Sequence, residues 1–170
     1  MILTGPSIKS AVSRGDIVVE PFDQADVNPS SYSYHLAVSL LLLGRSGKSV
    51  RKISLTDAGH ELKPGKVYLG TTFERIGSDR YAMLLLGLPS TGKLGLFLNI
   101  TADLGHIGSC SHWTLEMTVV KPLRIYPKMK IGQITFWQTD HSSSHRYEGR
   151  YHRDAHPVGN QDPTLIRRAT

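Results

Sequence analysis

Short apolar or alternating runs, separated by Gly, Pro and Asp, follow one another along most of the chain. Each run has the length of a β-strand, and the regular interruptions are typical of an all-β sandwich or barrel. Before them, residues 7–13 predict a short amphipathic helix with Ile8, Ala11 and Val12 on one side, which Gly15 ends. The predicted strands are residues 17–19, 34–43, 50–55, 67–73, 81–86, 94–100, 113–120, 123–126 and 131–137.

The composition fits one globular domain. With 170 residues, of which 39% are hydrophobic and 20% charged, the chain can bury a core of its own. It contains no apolar run long enough for a membrane span, and its first residues lack the basic and apolar regions of a secretory signal. Cys110 is the only cysteine, which excludes an internal disulfide. Together these features predict a cytoplasmic protein.

The net charge of +6 would suit a polyanionic partner such as nucleic acid or a nucleotide phosphate tail. Aromatic and basic residues are not interleaved as they are in proteins that stack bases along a single strand, so nucleic-acid binding is the weaker interpretation. Five arginines lie after residue 140, where the sequence also becomes polar and rich in histidine. We expect residues 1–140 to form the β-domain and residues 141–170 to form an extended arm or lid.

Two apparent motifs do not support the chemistry they suggest. Residues 87–93 read G-x-x-x-x-G-K, but Leu94 replaces the Ser or Thr that would hold magnesium, and the following residues predict a strand where a phosphate-binding loop needs a helix. His106, Cys110 and His112 could be imagined as zinc ligands. Zinc nucleobase deaminases need H-x-E with P-C-x-x-C, however, and one cysteine cannot supply that set. We therefore expect no protein-bound metal.

Glu116 is a lone carboxylate in an otherwise strand-like run, flanked by Leu115 and Met117. Such a residue is either exposed to solvent or has a functional role. Burial of a carboxylate raises its pKa and makes it a better proton shuttle near neutral pH. The plainer alternative is a solvated or salt-bridged strand residue, which is the commoner fate of Glu.

Several segments resemble, over nearly the whole chain, the dCTP deaminase branch of the dUTPase superfamily. They are MILTGPSIKSAVSRGDIVVEPFD at residues 1–23, VNPSSY at 27–32, LKPG at 62–65 with Thr71, Thr72 and Glu74 after it, and LPSTGKLGL at 88–96. Thr101 and Ala102 stand where the family has T-A-H-R-I-D, and Leu115 with Glu116 stands where it has its catalytic L-E. The spacing from Lys93 to Thr101 and on to Glu116 equals the family's without a gap.

This resemblance implies a distorted β-barrel or jelly-roll subunit in a homotrimer, with active sites between subunits and a C-terminal arm that closes over a pyrimidine nucleotide. The family deaminates cytosine without zinc. By position, Glu116 would be the general base and acid, Ala102 would offer its carbonyl to the attacking water, and Thr101 would help to hold the base. Lys93 stands in place of an arginine, which keeps the charge but loses the planar fork. Mg²⁺ would enter only with the nucleotide phosphates.

The sequence departs from the family mainly in the residues that hold phosphate and sugar. Leu88 and Pro89 replace the first Arg-Ser of R-S-S-L-A-R, which leaves Ser90 and Thr91 as hydroxyl donors for phosphate. Leu104 replaces an arginine, and His106 stands where an aspartate normally meets the sugar. In the tail, the substrate-binding candidates by resemblance are Gly159, Asn160, Gln161, Thr164 and Arg167.

Three hypotheses follow. The leading one is a deaminase of a cytosine deoxynucleotide, with dCTP as the default substrate and dUTP and ammonia as products. Leu88, Pro89 and Leu104 leave open an altered phosphate or sugar specificity, with a modified or less phosphorylated cytosine nucleotide as the alternative substrate. A dUTP diphosphatase, alone or combined with deamination, is the second. A catalytically inactive nucleotide-binding trimer is the third; the retained Glu116, in register with Thr101 and Ala102, is the main observation against it.

Overall fold

Helix α1 (Gly5–Ser13) opens the chain, and nearly all the regular structure after it is β. The computed structural model describes residues 1–44, 49–99, 102–140 and 146–149, with the backbone alone described at 49 and 50. The helix begins at Gly5 and not at Ser7 as predicted, because Pro6 lies in the first turn, where its fixed φ is already helical. Ile8 and Ala11 are fully buried, which ties the helix to the core.

The elements after α1 are mostly short strands. A 3₁₀ turn (Gln24–Asp26) and a second helix, α2 (Pro89–Lys93), interrupt them. The strands are β1 (Val18–Glu20), β2 (Tyr32–His35), β3 (Ser39–Leu43), β4 (Ser49–Ser54), β5 (His60–Leu62), β6 (Tyr68–Thr71), β7 (Arg75–Gly77), β8 (Tyr81–Gly87), β9 (Leu96–Leu98), β10 (Leu104–Gly105), β11 (Cys110–Ser111), β12 (Thr114–Val119), β13 (Leu123–Ile125) and β14 (Lys130–Gln138).

Two larger antiparallel sheets frame the core. One has the strand order β4-β3-β6-β12-β9 and the other the order β10-β8-β14-β2, while β1-β7-β11 and β13-β5 form smaller sheets. Buried residues from both larger sheets belong to one hydrophobic cluster, among them Leu40, Tyr34, Met83, Leu115, Met117 and Phe136. The prediction of an all-β fold with a short N-terminal helix is confirmed. No helix in the described ranges is long and apolar enough to cross a membrane.

Strand β12 shows most clearly how the sequence pattern sets the fold. Leu115, Met117 and Val119 point into the core, and the residues between them point outward, because successive side chains of a strand alternate between its two faces. Glu116 therefore lies on the outer face. Burying the inward side chains stabilises the fold by about 1.5–3 kcal/mol each.

Several sequence-based boundaries were wrong. Residues 34–43 do not form one strand, because β2 and β3 belong to different sheets. The chain changes partner between them: the backbone N–H of Leu36 donates to the carbonyl of Met129 (3.0 Å), and that of Ala37 donates to the carbonyl of Thr71 (2.9 Å). Within the described part of the predicted strand 94–100, residues 94–99, the strand is the short β9, bounded by positive φ at Gly95 (87°) and Asn99 (43°). The short strands β5, β7, β10 and β11 were not predicted at all.

Candidate active site

Glu116 lies on the exposed outer face of β12. Its strand is hydrogen-bonded on one side to β6 and on the other to β9. Within the described part of the chain, its carboxylate makes neither a hydrogen bond nor an ion pair. The described residues of one chain thus leave this carboxylate exposed.

Asn99 holds the backbone of Glu116. The N–H of Asn99 donates to the carbonyl of Glu116 (3.0 Å), and the N–H of Glu116 donates to the side-chain Oδ1 of Asn99 (2.7 Å). Asn99 is buried, and its φ is positive. Sequence reasoning missed this residue. An asparagine at the end of an apolar run was the available signal, because Asn tolerates positive φ better than other non-glycine residues.

The chain segment expected to contact the base follows Asn99 directly. Thr101 lies outside the described residues, whereas Ala102 is exposed. The carbonyl of the next residue, Asp103, accepts a hydrogen bond from Leu85 (2.9 Å) and leads into β10. No described residue donates a hydrogen bond to the Ala102 carbonyl. The backbone here has an acceptor available for a ligand.

Helix α2 carries the residues expected to meet phosphate, where the sequence predicted a turn before a strand. Ser90 and Lys93 are exposed. Thr91 is buried, and its hydroxyl donates to the carbonyl of Leu88 (2.9 Å), so that proton already has an acceptor. α2 also corrects the reason given against a phosphate-binding loop: a helix is present, but it lies inside the motif and the strand follows it.

Within one chain, Lys93 and Glu116 lie at opposite ends of β9. Leu96 pairs with Val119 at the end near Lys93, while Asn99 meets Glu116 at the other end. Three strand residues separate the two ends, which corresponds to about 10 Å. A single chain therefore does not bring the Lys93 ammonium and the Glu116 carboxylate together.

His106 lies on the loop after β10. That strand belongs to a different sheet from β12, which carries Glu116. Its ring stacks on Tyr147, with centroids 5.5 Å apart and an interplanar angle of 21°. The backbone N–H of Tyr147 donates to Ile107 (2.9 Å), and Arg146 forms an ion pair with Asp79 (3.1 Å). Residues 146–149 thus pack against the loop that carries His106. The tail candidates Gly159, Asn160, Gln161, Thr164 and Arg167 lie outside the described residues.

A buried polar network, also missed by sequence reasoning, links distant parts of the chain. Glu74 accepts a hydrogen bond from the backbone N–H of His35 (2.9 Å), and its other oxygen lies 2.5 Å from the His35 ring nitrogen Nδ1. Asp26 lies 3.9 Å from the other ring nitrogen of His35, Nε2, and forms an ion pair with Lys130 (2.7 Å). The two carboxylates are almost completely buried, as is usual only for paired charges. This network fastens the 3₁₀ turn and β14 to the strands around Glu74.

The residues weighed as zinc ligands have other contacts. His112 Nδ1 lies 3.2 Å from the Thr72 carbonyl, and His106 stacks on Tyr147. Burial raises the pKa of the Cys110 thiol, which disfavours the thiolate that a metal would need. Over the ranges that the structure describes, no three His, Cys, Asp or Glu side chains are grouped as a metal site requires. Zinc-independent chemistry stays a prediction.

The fold and the site define an all-β protein whose candidate acid–base group lies on an exposed sheet face. The family model described as dCTP deaminase-like matches residues 2–139. The chain therefore belongs to the dCTP deaminase-like family, as its motifs predicted.

Relatives of known function support the same family. The chain is 39% identical over 157 residues to "dCTP deaminase, dUMP-forming" of Hathewaya histolytica, a match that covers 89% of this chain and 86% of that protein. It is 38% identical to the protein of the same name from Clostridium botulinum strain Alaska E43, with 89% and 90% covered. A "dCTP deaminase" of Rhodopirellula baltica is also 38% identical, with 89% and 79% covered.

A solved structure supports the fold. The 2'-deoxycytidine 5'-triphosphate deaminase of Agrobacterium tumefaciens superposes with a TM-score of 0.66 at 19% sequence identity. The match covers 79% of this chain but only 46% of that chain, so the present chain spans about half of its length. At this identity the likeness concerns the fold alone.

Proposed function

We propose that this protein is a hydrolytic deaminase that converts the cytosine of dCTP to uracil with release of ammonia. The observation that carries the proposal is the position of Glu116 in a dCTP deaminase-like chain. Its carboxylate is outward and unpaired within the described residues, and its backbone is held by Asn99, directly before the Thr101–Ala102 segment.

Glu116 would move the protons of the reaction. It accepts a proton from a water molecule as the water oxygen bonds to C4 of cytosine, which gives a tetrahedral intermediate. It then gives that proton to N3, takes the proton of the new C4 hydroxyl and passes it to the amino group, so that the C4–N bond breaks, ammonia leaves and the C4 carbonyl of uracil forms. The carbonyl of Ala102 would accept a hydrogen bond from the attacking water, and Thr101 would hold the base. The net reaction consumes one water and yields a uracil nucleotide.

We further propose that the site is completed by a second copy of the chain in a homotrimer. Lys93 and Glu116 lie at opposite ends of β9 in one chain and form no ion pair within the described residues, and a second subunit could bring its own Lys93 to the exposed Glu116. The face around Glu116 also carries exposed apolar surface, since Phe97 is 42% exposed and lies opposite Thr118 on that face. A neighbouring subunit that covered this face would exclude water from the carboxylate.

The phosphates would be held by the residues of α2 and the tail. Ser90 and Lys93 are exposed at the helix, and Thr91 still has acceptor capacity. We propose that Gly159, Asn160, Gln161, Thr164 and Arg167 approach the nucleotide as part of an arm formed by residues 141–170, while His106 lies on the sugar side. Mg²⁺ would arrive with the triphosphate. A deoxynucleotide substrate also suits a cytoplasmic enzyme and needs no nucleic-acid partner.

A bifunctional reaction is the second candidate. Relatives from Hathewaya and Clostridium carry the name "dCTP deaminase, dUMP-forming". The same activity here would yield dUMP and pyrophosphate in place of dUTP, the product expected from the motifs. The weakened phosphate motif, with Leu88 and Pro89 in place of Arg-Ser, is the feature that argues for dUTP as the final product.

The test is a panel of cytosine and uracil nucleotides of differing phosphorylation, with ammonia, pyrophosphate and nucleotides measured separately. We expect ammonia from dCTP, and the nucleotide product decides between dUTP and dUMP. Glu116→Gln is the matched control, because it keeps the size of the side chain and removes its proton-accepting oxygen. Absence of ammonia from every cytosine nucleotide, or full activity in Glu116→Gln, would refute the proposal.

A further inference from the structure

The ladder between β9 and β12 ends in an unusual way at Asn99. In an antiparallel pair, directly opposed residues of the hydrogen-bonded type exchange two backbone hydrogen bonds. Leu98 pairs with Met117, which places Asn99 opposite Glu116. Asn99 donates its N–H to the carbonyl of Glu116 (3.0 Å) as expected, but the N–H of Glu116 donates to the side chain of Asn99 (2.7 Å). The side-chain oxygen replaces the backbone carbonyl in the ladder.

The backbone conformation of Asn99 explains this replacement. Its φ of 43° takes the chain out of the extended strand, and the N–H of Glu116 donates to the side chain in place of the backbone carbonyl. The side-chain amide of asparagine can occupy the vacated acceptor position, as it does when it mimics a backbone group in turns. Asn99 is 6% exposed, so an unpaired Glu116 N–H beside it would have little water to bond with.

We propose that Asn99 is a positioning residue for Glu116 in the deamination reaction, an inference that rests on the proposed function. One residue does two things. It fixes the backbone of Glu116 through that residue's N–H and C=O, and its positive φ ends strand β9 at this point. The strand position from which the carboxylate projects is thereby fixed, on which a proton transfer to an oriented water depends.

Two substitutions separate these roles. Asn99→Gly still adopts positive φ but lacks the acceptor, and Asn99→Asp keeps both the acceptor and the tolerance of positive φ. For the Gly variant we expect a melting temperature lowered by a few degrees, because the Glu116 N–H loses its acceptor, with kcat for dCTP reduced between about tenfold and a hundredfold and KM changed by less than about twofold. For Asn99→Asp we expect a large part of kcat to return.

Amide hydrogen exchange at Glu116 gives a readout that does not depend on activity. The Glu116 N–H should exchange faster in Asn99→Gly than in wild type and should regain protection in Asn99→Asp. Wild-type kcat or wild-type exchange in the Gly variant would overturn the proposal. If Asn99→Gly does not fold, the Asn99→Asp variant tests the proposal. Loss of hydrogen-exchange protection at the Glu116 N–H in that variant would count against the positioning role of Asn99. If wild type releases no ammonia from dCTP, the proposed function fails, whereas the exchange comparison still tests the positioning.

Discussion

Glu74 and His35, although 39 positions apart in sequence, are joined through both carboxylate oxygens of Glu74. One oxygen accepts from the His35 backbone N–H, and the other lies at the ring. With 2% of its surface exposed, Glu74 is one of the most deeply buried charged residues that the structure describes. Burial of the Glu74 carboxylate is compatible with a stable fold because the His35 backbone N–H and ring contact its two oxygens.

Replacing Glu74 with alanine should therefore destabilise the fold strongly. The change leaves a buried N–H and a histidine ring without their acceptor, and removing one member of a buried pair costs about 3–5 kcal/mol. Glu74→Gln keeps one acceptor and should lose about 1–3 kcal/mol. Denaturant unfolding measures both. Asp57→Ala, at an exposed turn, is the control and should change stability by less than about 0.5 kcal/mol. Equal stability of the three variants would contradict this account of Glu74.

Mixed oligomers should show that Lys93 and Glu116 act across a subunit boundary. Lys93→Ala and Glu116→Gln chains are each expected to be nearly inactive on dCTP. When the two are co-expressed with different tags, oligomers that carry both tags should regain about one third of wild-type activity, since one site in a cyclic trimer then has both native residues. Purification through both tags followed by an ammonia assay gives the measurement. If both groups served a site within one chain, the mixed species would stay inactive.

The stacked rings of His106 and Tyr147 should contribute to stability as a pair. Ring contacts of this kind are worth about 0.5–1.5 kcal/mol beyond the area they bury. A double-mutant cycle with His106→Ala and Tyr147→Ala should therefore give a coupling energy in this range, measured by denaturant unfolding. Tyr147→Phe keeps the ring and should retain most of the coupling. Strict additivity of the two alanine substitutions would show that the stack contributes nothing.

His60 should make the protein less stable in mild acid. Burial lowers the pKa of His60 below its usual 6.5, and the nearby Arg51 and Arg124 lower it further. Because the unfolded chain then binds the proton more tightly than the folded chain, the stabilising contribution is present above pH 6.5. It is lost as the pH falls through the lower folded-state pKa. The melting temperature should fall less between pH 7.5 and about pH 5 in His60→Gln than in wild type. An equal fall in both proteins would exclude His60 as a cause of the lower stability in acid.

Much of the fold could be predicted from local pattern. Strand β12 was predicted to within a residue at each end, because the alternation of Leu115, Met117 and Val119 with polar residues is the direct signature of a strand with one buried face. Strands of two or three residues such as β10 and β7 contain too few positions for any period to be read. Helix α2 was missed since Pro-Ser-Thr-Gly has poor helix propensity, and the single turn it forms, closed by the hydrogen bond from the Gly92 N–H to the Leu88 carbonyl (3.0 Å), is too short to show a helical period.

The candidate site was predictable only where a family motif marks it. Glu116 and Ala102 could be named from their spacing, and the exposure of Glu116 agrees with a site that needs a second surface. Asn99 could not be named, because its role depends on a backbone φ that the sequence does not specify. The contact of Glu74 with His35 could not be predicted from the sequence either, because it joins residues far apart in the chain.

Strand β9 has only three residues between two positions of positive φ, Gly95 and Asn99. One inserted or deleted residue would exchange its inward and outward faces and would separate Asn99 from Glu116. Changes in chain length during the divergence of this protein should therefore collect in surface turns such as residues 56–59. The segment from Gly95 to Asn99 should tolerate changes of side chain while its length stays constant.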